Sequence, residues 1–204
     1  MKPLADDAWR AWNPAELMNR LDATFCWYVV SGWALDLWHG IRTREHEDLE
    51  FAVLPEGLGH ARALLGELVF FAVDDGRFTH LPPFARPHQG VMQFWGADFG
   101  EDCWRVDMML ERGTTETWAY KRDPAITAPR AGMIRKTAGG IPYLTPEAVL
   151  LFKARHRREK DESDFNLALP KLEPSQRARL RGWLQHCHPG HDWIARLQGT
   201  QAAC

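Results

Sequence analysis

Two acidic side chains, Asp48 and Glu50, stand two residues apart in a short run that predicts a strand over residues 48–54. Side chains alternate across a strand, so both carboxylates project to one face while Leu49 and Phe51 project to the opposite, buried face. Two carboxylates at that separation repel each other unless a cation lies between them. Because a hard divalent ion such as Mg²⁺ prefers oxygen ligands, the pair indicates a candidate metal site.

A third acid, Asp107, lies among apolar residues in a second predicted strand over residues 103–110. An unpaired charge is costly in such a position, so this carboxylate needs a partner. Three acids on two strands can hold one or two metal ions. The alternative is an acidic, solvated strand face, or an Asp107 paired with a buried cation such as Arg105 or Lys153.

Upstream of these acids, Ser31 and Gly32 form a small-residue turn that opens a predicted helix over residues 33–38, which stops at Gly40. Such a turn presents backbone N–H groups and the positive end of the helix dipole, an arrangement that suits phosphate. A metal pair about 15 residues beyond a phosphate-binding turn is what metal-assisted phosphoryl or nucleotidyl transfer needs.

The order of these residues resembles the minimal nucleotidyltransferases of the DNA polymerase β type, with aminoglycoside 2″-adenylyltransferases and lincosamide nucleotidyltransferases as the nearest look-alikes. The close resemblance covers residues 30–51, and a looser one extends to Asp107 and to residues 153–165. The matching run is Ser31-Gly32-Trp33-Ala34-Leu35-Asp36, then Gly40, then Thr43-Arg44-x-His46-x-Asp48-x-Glu50.

This resemblance implies an α+β fold, in which a mixed twisted sheet with flanking helices precedes a helical C-terminal region. It also implies that Asp48 and Glu50 are metal ligands, that Asp107 is the third ligand or the general base, and that Ser31 and Gly32 contact the triphosphate. The implied cofactor is Mg²⁺, one or two ions, and the implied co-substrate is ATP or another nucleoside triphosphate. The implied reaction moves AMP to a hydroxyl of a small molecule, such as an aminoglycoside-like antibiotic.

Two residues depart from the family pattern. Ser31 stands where glycine is common, and Glu50 stands where Asp is usual. The extra methylene of Glu50 displaces its carboxylate by roughly an ångström, which matters in a preorganised site. A catalytically silent nucleotide-binding or antitoxin-like protein of the same fold is therefore the alternative. A phosphohydrolase that uses water as the attacking group is a third possibility.

Cations are the other candidates for the nucleotide site. Arg44 precedes the metal strand and can reach a phosphate oxygen, or else it forms an ion pair with a nearby acid such as Asp36. Lys153 and Lys160 belong to a basic cluster that either neutralises the leaving pyrophosphate or forms a solvated helix end. For His46 we expect a packing or hydrogen-bonding role that shapes the loop, with a role as a catalytic base as the alternative.

A histidine-rich segment near the C-terminus is a second candidate metal site. His186, His188 and His191 lie close to Cys187 and are of a type that can bind zinc. The Pro189-Gly190 pair favours instead a turn between two terminal helices, with the histidines at helix ends.

The composition excludes several classes of protein. The net charge of −2 gives no basic field for capturing nucleic acid, and no apolar run is long enough to span a membrane. The four cysteines form no C-x-x-C pair, and no signal-peptide h-region is visible, so we expect a cytoplasmic protein with reduced thiols. We expect a catalytic domain over residues 1–143 and a helical region over residues 144–204.

A polycationic aminoglycoside acceptor would require an acidic pocket. Five acids near the expected cleft are candidates for it: Asp74, Asp75, Asp98, Glu101 and Asp102.

Overall fold

The computed structural model of the 204-residue chain describes residues 1–198. Cys204, one of the four cysteines, lies outside the described residues. The strands are β1 Trp27–Val29, β2 Glu50–Val53, β3 Val69–Asp74, β4 Arg77–His80, β5 Gln93–Asp98, β6 Cys103–Leu110, β7 Thr117–Ala119, β8 Thr127–Pro129, β9 Ile134–Lys136 and β10 Pro142–Leu144. The α-helices are α1 Pro14–Met18, α2 Ser31–His39, α3 Leu58–Leu64, α4 Arg130–Met133, α5 Pro146–Ala154, α6 Glu159–Ala168, α7 Pro174–Cys187 and α8 Trp193–Gln198.

An eight-stranded mixed sheet forms the centre of the protein, in the order β4-β3-β5-β6-β2-β1-β10-β9. β2 runs parallel to β6, and their register places Glu50 opposite Asp107. β1 pairs antiparallel with β2 on one side and parallel with β10 on the other. The two strands that carry the acidic residues are therefore direct neighbours in the middle of the sheet.

Local sequence explains where the elements begin and end. Asn13 caps α1 by accepting from the backbone N–H of Ala15 and Glu16, and Glu16 reaches back to complete a capping box. α2 ends at Gly40, whose φ of 74° is a left-handed conformation that glycine adopts readily. In β2, Phe51 and Val53 are buried on one face, and Glu50 shares the other face with the buried Ala52.

The helical C-terminal region packs on this sheet as part of the same core. α5 contacts α2, α6 and α7, and α2 also contacts β10. One continuous cluster of buried side chains extends from Trp12 to Leu197. The expected boundary at residue 143 falls inside β10, which belongs to the sheet. The division of the chain into two domains stays a prediction.

The expected fold class is confirmed, and most expected elements are present. The helices expected after residue 145 are α5, α6 and α7, and the strand expected over residues 103–110 is β6. The strand expected over residues 48–54 begins only at Glu50, so Asp48 lies just before it. Among residues 1–198, no helix combines the length and the apolar character that crossing a membrane requires.

Candidate active site

The three acidic residues expected to hold metal lie together. One carboxylate oxygen each from Asp48, Glu50 and Asp107 can be chosen so that all three atoms lie within 4.8 Å of one another. The parallel pairing of β2 with β6 brings Glu50 beside Asp107. Asp48 lies before β2, where its backbone carbonyl accepts a hydrogen bond of 3.0 Å from Trp33 Nε1. We call these three residues the acid triad.

The acid triad holds more negative charge than its surroundings neutralise. Asp107 is 3% exposed, and burial, together with the charge of Glu50, raises its pKa well above the usual range. Burial and the charge of Asp48 likewise raise the pKa of Glu50, although a hydrogen bond from Ser31 opposes that rise. A bound cation would remove this repulsion.

The cations suggested as structural partners of Asp107 are engaged elsewhere. Arg105 donates to Asp98 Oδ2 at 3.0 Å and 3.1 Å. Lys153 Nζ lies 3.0 Å from Asp161 Oδ1. The alternative in which Asp107 pairs with Arg105 or Lys153 is therefore wrong.

Asp107 also shows how well the acid triad suits a metal ion. Its Oδ2 accepts a hydrogen bond of 2.6 Å from Gln93 Nε2. Its Oδ1 is buried and forms no hydrogen bond of acceptable geometry among the described residues, although the Trp95 side chain is near enough to oppose the rise in the pKa of Asp107. A buried carboxylate oxygen without a donor is costly, and coordination to a divalent cation satisfies it. The residues present thus fit an oxygen-ligated ion such as Mg²⁺.

The small-residue turn lies at the N-terminus of α2, beside the acid triad. Ser31 adopts a left-handed conformation with a φ of 57°, which explains why glycine is common at this place in the look-alikes. Val30 provides no side-chain cap, so the first N–H groups of α2 are not satisfied by that residue. A Cβ on Gly32 would lie 2.5 Å from Arg44 Nη2 and 2.6 Å from the His46 ring, so this position accepts only glycine without rearrangement.

The loop between α2 and β2 is organised by a buried carboxylate. Asp36 is 4% exposed and accepts hydrogen bonds from the backbone N–H and hydroxyl of Thr43. It also binds His46 Nε2 at 2.6 Å, and the His46 ring packs on Trp33 with 4.5 Å between centroids. Burial lowers the pKa of His46, despite that hydrogen bond. His46 thus shapes the loop, as expected from the sequence.

The expected pairing of Asp36 with Arg44 is wrong. Arg44 Nε and Nη2 donate to Asp164 at 3.2 Å and 3.3 Å, because α6 packs against this loop. Lys153, 5% exposed, lies 2.8 Å from the same carboxylate as well as contacting Asp161. Arg158 also binds Asp161, at 2.9 Å. We call this network, which joins the loop, α5 and α6, the ion-pair chain.

A cavity of about 330 Å³ lies between the turn, the loop and α6. All five candidate nucleotide-binding residues line it together with two members of the acid triad. They are Ser31, Gly32, Arg44, Lys153, Lys160, Asp48 and Glu50. Arg158 also lines it, and Lys160 forms no ion pair within the described part of the chain. We call this space of about 330 Å³ the first cavity.

A second cavity of about 490 Å³ adjoins the first and shares Val30, Ser31, Glu50, Lys153 and Arg158 with it. It lies between the sheet and α5, and its lining residue Gln93 donates to Asp107. None of the five acids expected to form an acidic acceptor pocket lines either cavity. They lie at the β3–β4 and β5–β6 turns, and Asp98 and Glu101 pair there with Arg105 and Arg10.

The histidine-rich segment has ordinary structural partners. His186 binds Asp123 at 2.9 Å, and His191 Nε2 lies 3.1 Å from the carbonyl of Ala154. Gly190 has a φ of 89°, as a turn requires. Within residues 1–198, the acid triad is the only group of three or more histidine, cysteine or acidic side chains close enough to share a metal ion.

Two residues of the site escaped the sequence argument: Gln93, which orients Asp107, and Lys121, which lines the second cavity. Arg158, which lines both cavities, was recognised only as part of the basic cluster around Lys153 and Lys160. Only Gln93 carries a recognisable sequence feature, since it is a polar residue within the apolar run from Val91 to Trp95.

Known structures with the same architecture support the fold. The crystal structure of ANT(2″)-Ia in complex with adenylyl-2″-tobramycin matches with a TM-score of 0.54 at 15% identity, over 85% of this chain and 94% of that one. The solution structure of the antibiotic-resistance factor ANT(2″)-Ia matches with a TM-score of 0.51 at 16% identity, over 91% and 89% of the two chains. The lincomycin-bound lincosamide adenylyltransferase LnuA reaches a TM-score of only 0.45, at 16% identity over 69% and 84%, and supports no argument.

No protein-family model matches the chain, and no curated protein sequence matches it. The structural matches, together with the motif order and the sheet topology, agree with one another. The chain has the nucleotidyltransferase fold.

Proposed function

We propose that this protein is a metal-dependent nucleotidyltransferase that moves AMP from ATP to a hydroxyl group of a small molecule. The observation that carries the proposal is the acid triad, in which Asp107 Oδ1 is buried without a hydrogen bond and its neighbour Glu50 lines both cavities. Asp48, Glu50 and Asp107 would hold Mg²⁺, which supplies Lewis-acid polarisation of the phosphoryl oxygens when it is bound.

The first cavity is suited to the triphosphate. The N–H groups at the start of α2, at Ser31 and Gly32, supply neutral donors and the positive end of the helix dipole. Lys160, without an acidic partner in residues 1–198, supplies a free ammonium for the pyrophosphate leaving group. Arg44 and Lys153 are already paired with Asp164, so they contribute mainly by holding the wall of the cavity.

The acceptor hydroxyl would approach from the second cavity. Its oxygen attacks the α-phosphorus of ATP, the bond between the α-phosphorus and the bridging oxygen breaks, and pyrophosphate leaves. Asp107 is the carboxylate that would accept the hydroxyl proton. Gln93 donates to its Oδ2 at 2.6 Å and so fixes the orientation of the carboxylate.

The presence of Glu50, where Asp is usual in the resembling family, still leaves a carboxylate at this position of the site. Its carboxylate comes within 4.8 Å of chosen oxygens of both Asp48 and Asp107 despite the longer side chain. A silent protein gains nothing from three clustered carboxylates, whose mutual repulsion destabilises the fold. We therefore favour an enzyme over the silent alternative.

The experiment is to measure Mg²⁺-dependent pyrophosphate release from ATP with a panel of hydroxylated compounds, and to identify the adenylylated product by mass spectrometry. We expect release to require both metal and acceptor and to be inhibited by added pyrophosphate. ATP binding without pyrophosphate release would indicate the silent protein. Release of AMP or orthophosphate without an adenylylated acceptor would indicate a phosphohydrolase.

A further inference from the structure

The second cavity is strongly cationic. Four basic side chains that line it form no ion pair within the described chain: Arg112, Lys121, Arg122 and Arg155. Burial and the neighbouring charges of Arg122 and Arg112 lower the pKa of Lys121, while Asp107 and Glu50 oppose that effect, so these groups act on one another. Cationic side chains held this close repel one another, and a bound anion would relieve that repulsion.

The acids that line the second cavity do not supply that counter-charge. They are Glu50, which belongs to the acid triad, and Glu111. Glu111 is 6% exposed and its oxygens are occupied: Arg130 donates to both, at 2.6 Å and 2.8 Å, and the Tyr28 hydroxyl donates at 2.6 Å. Glu111 is therefore already neutralised.

One of the four cations is fixed in place. Arg122 donates 2.8 Å to the carbonyl of Phe152, lies 3.2 Å from His156 Nε2, and stands 5.6 Å above the Phe152 ring. A guanidinium held in this way loses less freedom when it binds an oxyanion. Trp118 and Phe152 line the same cavity and provide apolar surface for a carbon skeleton.

We propose that the acceptor of this protein is a hydroxyl compound that carries an anionic group, a carboxylate or a phosphate, and not a polycation. The inference rests on the proposed nucleotidyl transfer, because it concerns the acceptor of that reaction. An oxyanion forms charge-assisted hydrogen bonds with Lys121 and the arginines, whereas the ammonium groups of an aminoglycoside would be repelled by them. This proposal differs from the expectation of an aminoglycoside-like acceptor, and the two are compared in the experiments below.

The first experiment measures binding without turnover. The protein is loaded with Mg²⁺ and α,β-methylene-ATP, which cannot release pyrophosphate, and its thermal stability is followed with glucosamine, glucose, glucuronate and glucose 6-phosphate. These probes share a hydroxylated ring and differ in charge. We expect the two anions to stabilise the protein at lower concentration than glucose by about tenfold, the scale of one charge-assisted hydrogen bond, and glucosamine to stabilise it least. The ratio between glucuronate and glucose 6-phosphate tells a carboxylate site from a phosphate site.

Substitutions assign the effect to the cavity. Lys121→Gln and Arg122→Gln should each weaken the binding of the anionic probes by about tenfold and leave the binding of glucose unchanged. The double variant K121E/R122E should reverse the order and favour glucosamine and tobramycin. Arg135→Gln removes an exposed cation on β9 that lines neither cavity, and it should change nothing.

The outcomes separate this inference from the proposed function. Three results with the wild-type protein would overturn the anionic acceptor. All four probes could stabilise it equally, no probe could stabilise it, or glucosamine could stabilise it most. Mg²⁺-dependent adenylylation of tobramycin but of no anionic compound would also overturn it, while leaving the nucleotidyltransferase proposal intact. If anions bind as expected but no compound is adenylylated, the proposed function fails and the charge preference of the cavity stands.

Discussion

Replacing Asp107 with asparagine tests the acid triad most directly. The substitution Asp107→Asn keeps the size of the side chain and an oxygen that can accept from Gln93, but it removes the charge and the basicity. Without a charged carboxylate to bind metal or to accept the hydroxyl proton, turnover should fall by about 10² or more. Pyrophosphate release from Mg²⁺-ATP measures this loss.

The same substitution should stabilise the metal-free protein. Two full charges separated by at most 4.8 Å repel each other by about 3.5 kcal/mol or more at an effective dielectric constant of about 20. Burial and repulsion raise the pKa of both Glu50 and Asp107, which weakens this repulsion, so we expect a smaller gain of about 2 kcal/mol. For a chain of this length that amounts to about 4–8 °C in Tm. Mg²⁺ with nucleotide should then stabilise the variant less than the wild type.

The pH dependence supplies an independent check. Because the folded state raises the pKa of Asp107, its contribution to stability is present below the unfolded pKa of about 3.9 and is lost as the pH rises through the folded value. The Tm advantage of the variant should therefore be largest near neutral pH and shrink as the pH falls toward about 4.

A matched control removes a different carboxylate charge. Asp98 pairs with Arg105 outside both cavities, so Asp98→Asn should keep full activity and gain no stability. Full activity in the Asp107 variant would refute its catalytic assignment. A lower Tm than that of the metal-free wild type at neutral pH would refute the electrostatic reasoning.

Three further substitutions test the rest of the cleft. Gly32→Ala places a methyl group against the His46 ring, so it should cost about 1–3 kcal/mol in chemical denaturation and weaken nucleotide binding; unchanged stability would contradict the close packing of the turn. Lys160→Gln should raise KM for Mg²⁺-ATP by about tenfold with little loss of stability, while Lys136→Gln, an exposed lysine outside both cavities, should leave KM unchanged. Lys153→Met should cost about 3 kcal/mol of unfolding free energy because it breaks two buried ion pairs, and a neutral effect would contradict that role.

The members of the acid triad could be recognised from the sequence because the residues next to each carboxylate identify it. The alternation of Asp48 and Glu50 with buried Leu49 determines which face the carboxylates share, and the apolar surroundings of Asp107 mark it as a residue that needs a partner. What spacing could not provide was the register of β2 against β6, which places Glu50 opposite Asp107. The family resemblance implied only that one sheet carries all three carboxylates.

The partners of the charged residues were not predictable in the same way. Arg44 has acids one, three and eight positions away in the chain, yet it pairs with Asp164 from α6. Long-range packing decides such choices, and no local pattern encodes it. The cationic second cavity was missed for the same reason, since Lys121 and Arg155 come together only when α5 packs over the sheet.

The order of strands in the sheet has a consequence for synthesis of the chain. Residues 1–110 already contain the six neighbouring strands from β4 to β1, so the strands of the acid triad exist while translation is still in progress. β1, with the apolar run from Trp27 to Val29, then keeps one unpaired edge until Tyr143 in β10 reaches it. Exposed apolar edges invite pairing with other chains.

The late strands close that edge in two steps. β10 pairs with β1, and β9 becomes the new border of the sheet, where Arg135 and Lys136 are exposed. Charged residues on a border strand discourage a further strand from joining it. The segment that leads into the helical region thus covers the edge of β1 that the first 110 residues leave unpaired.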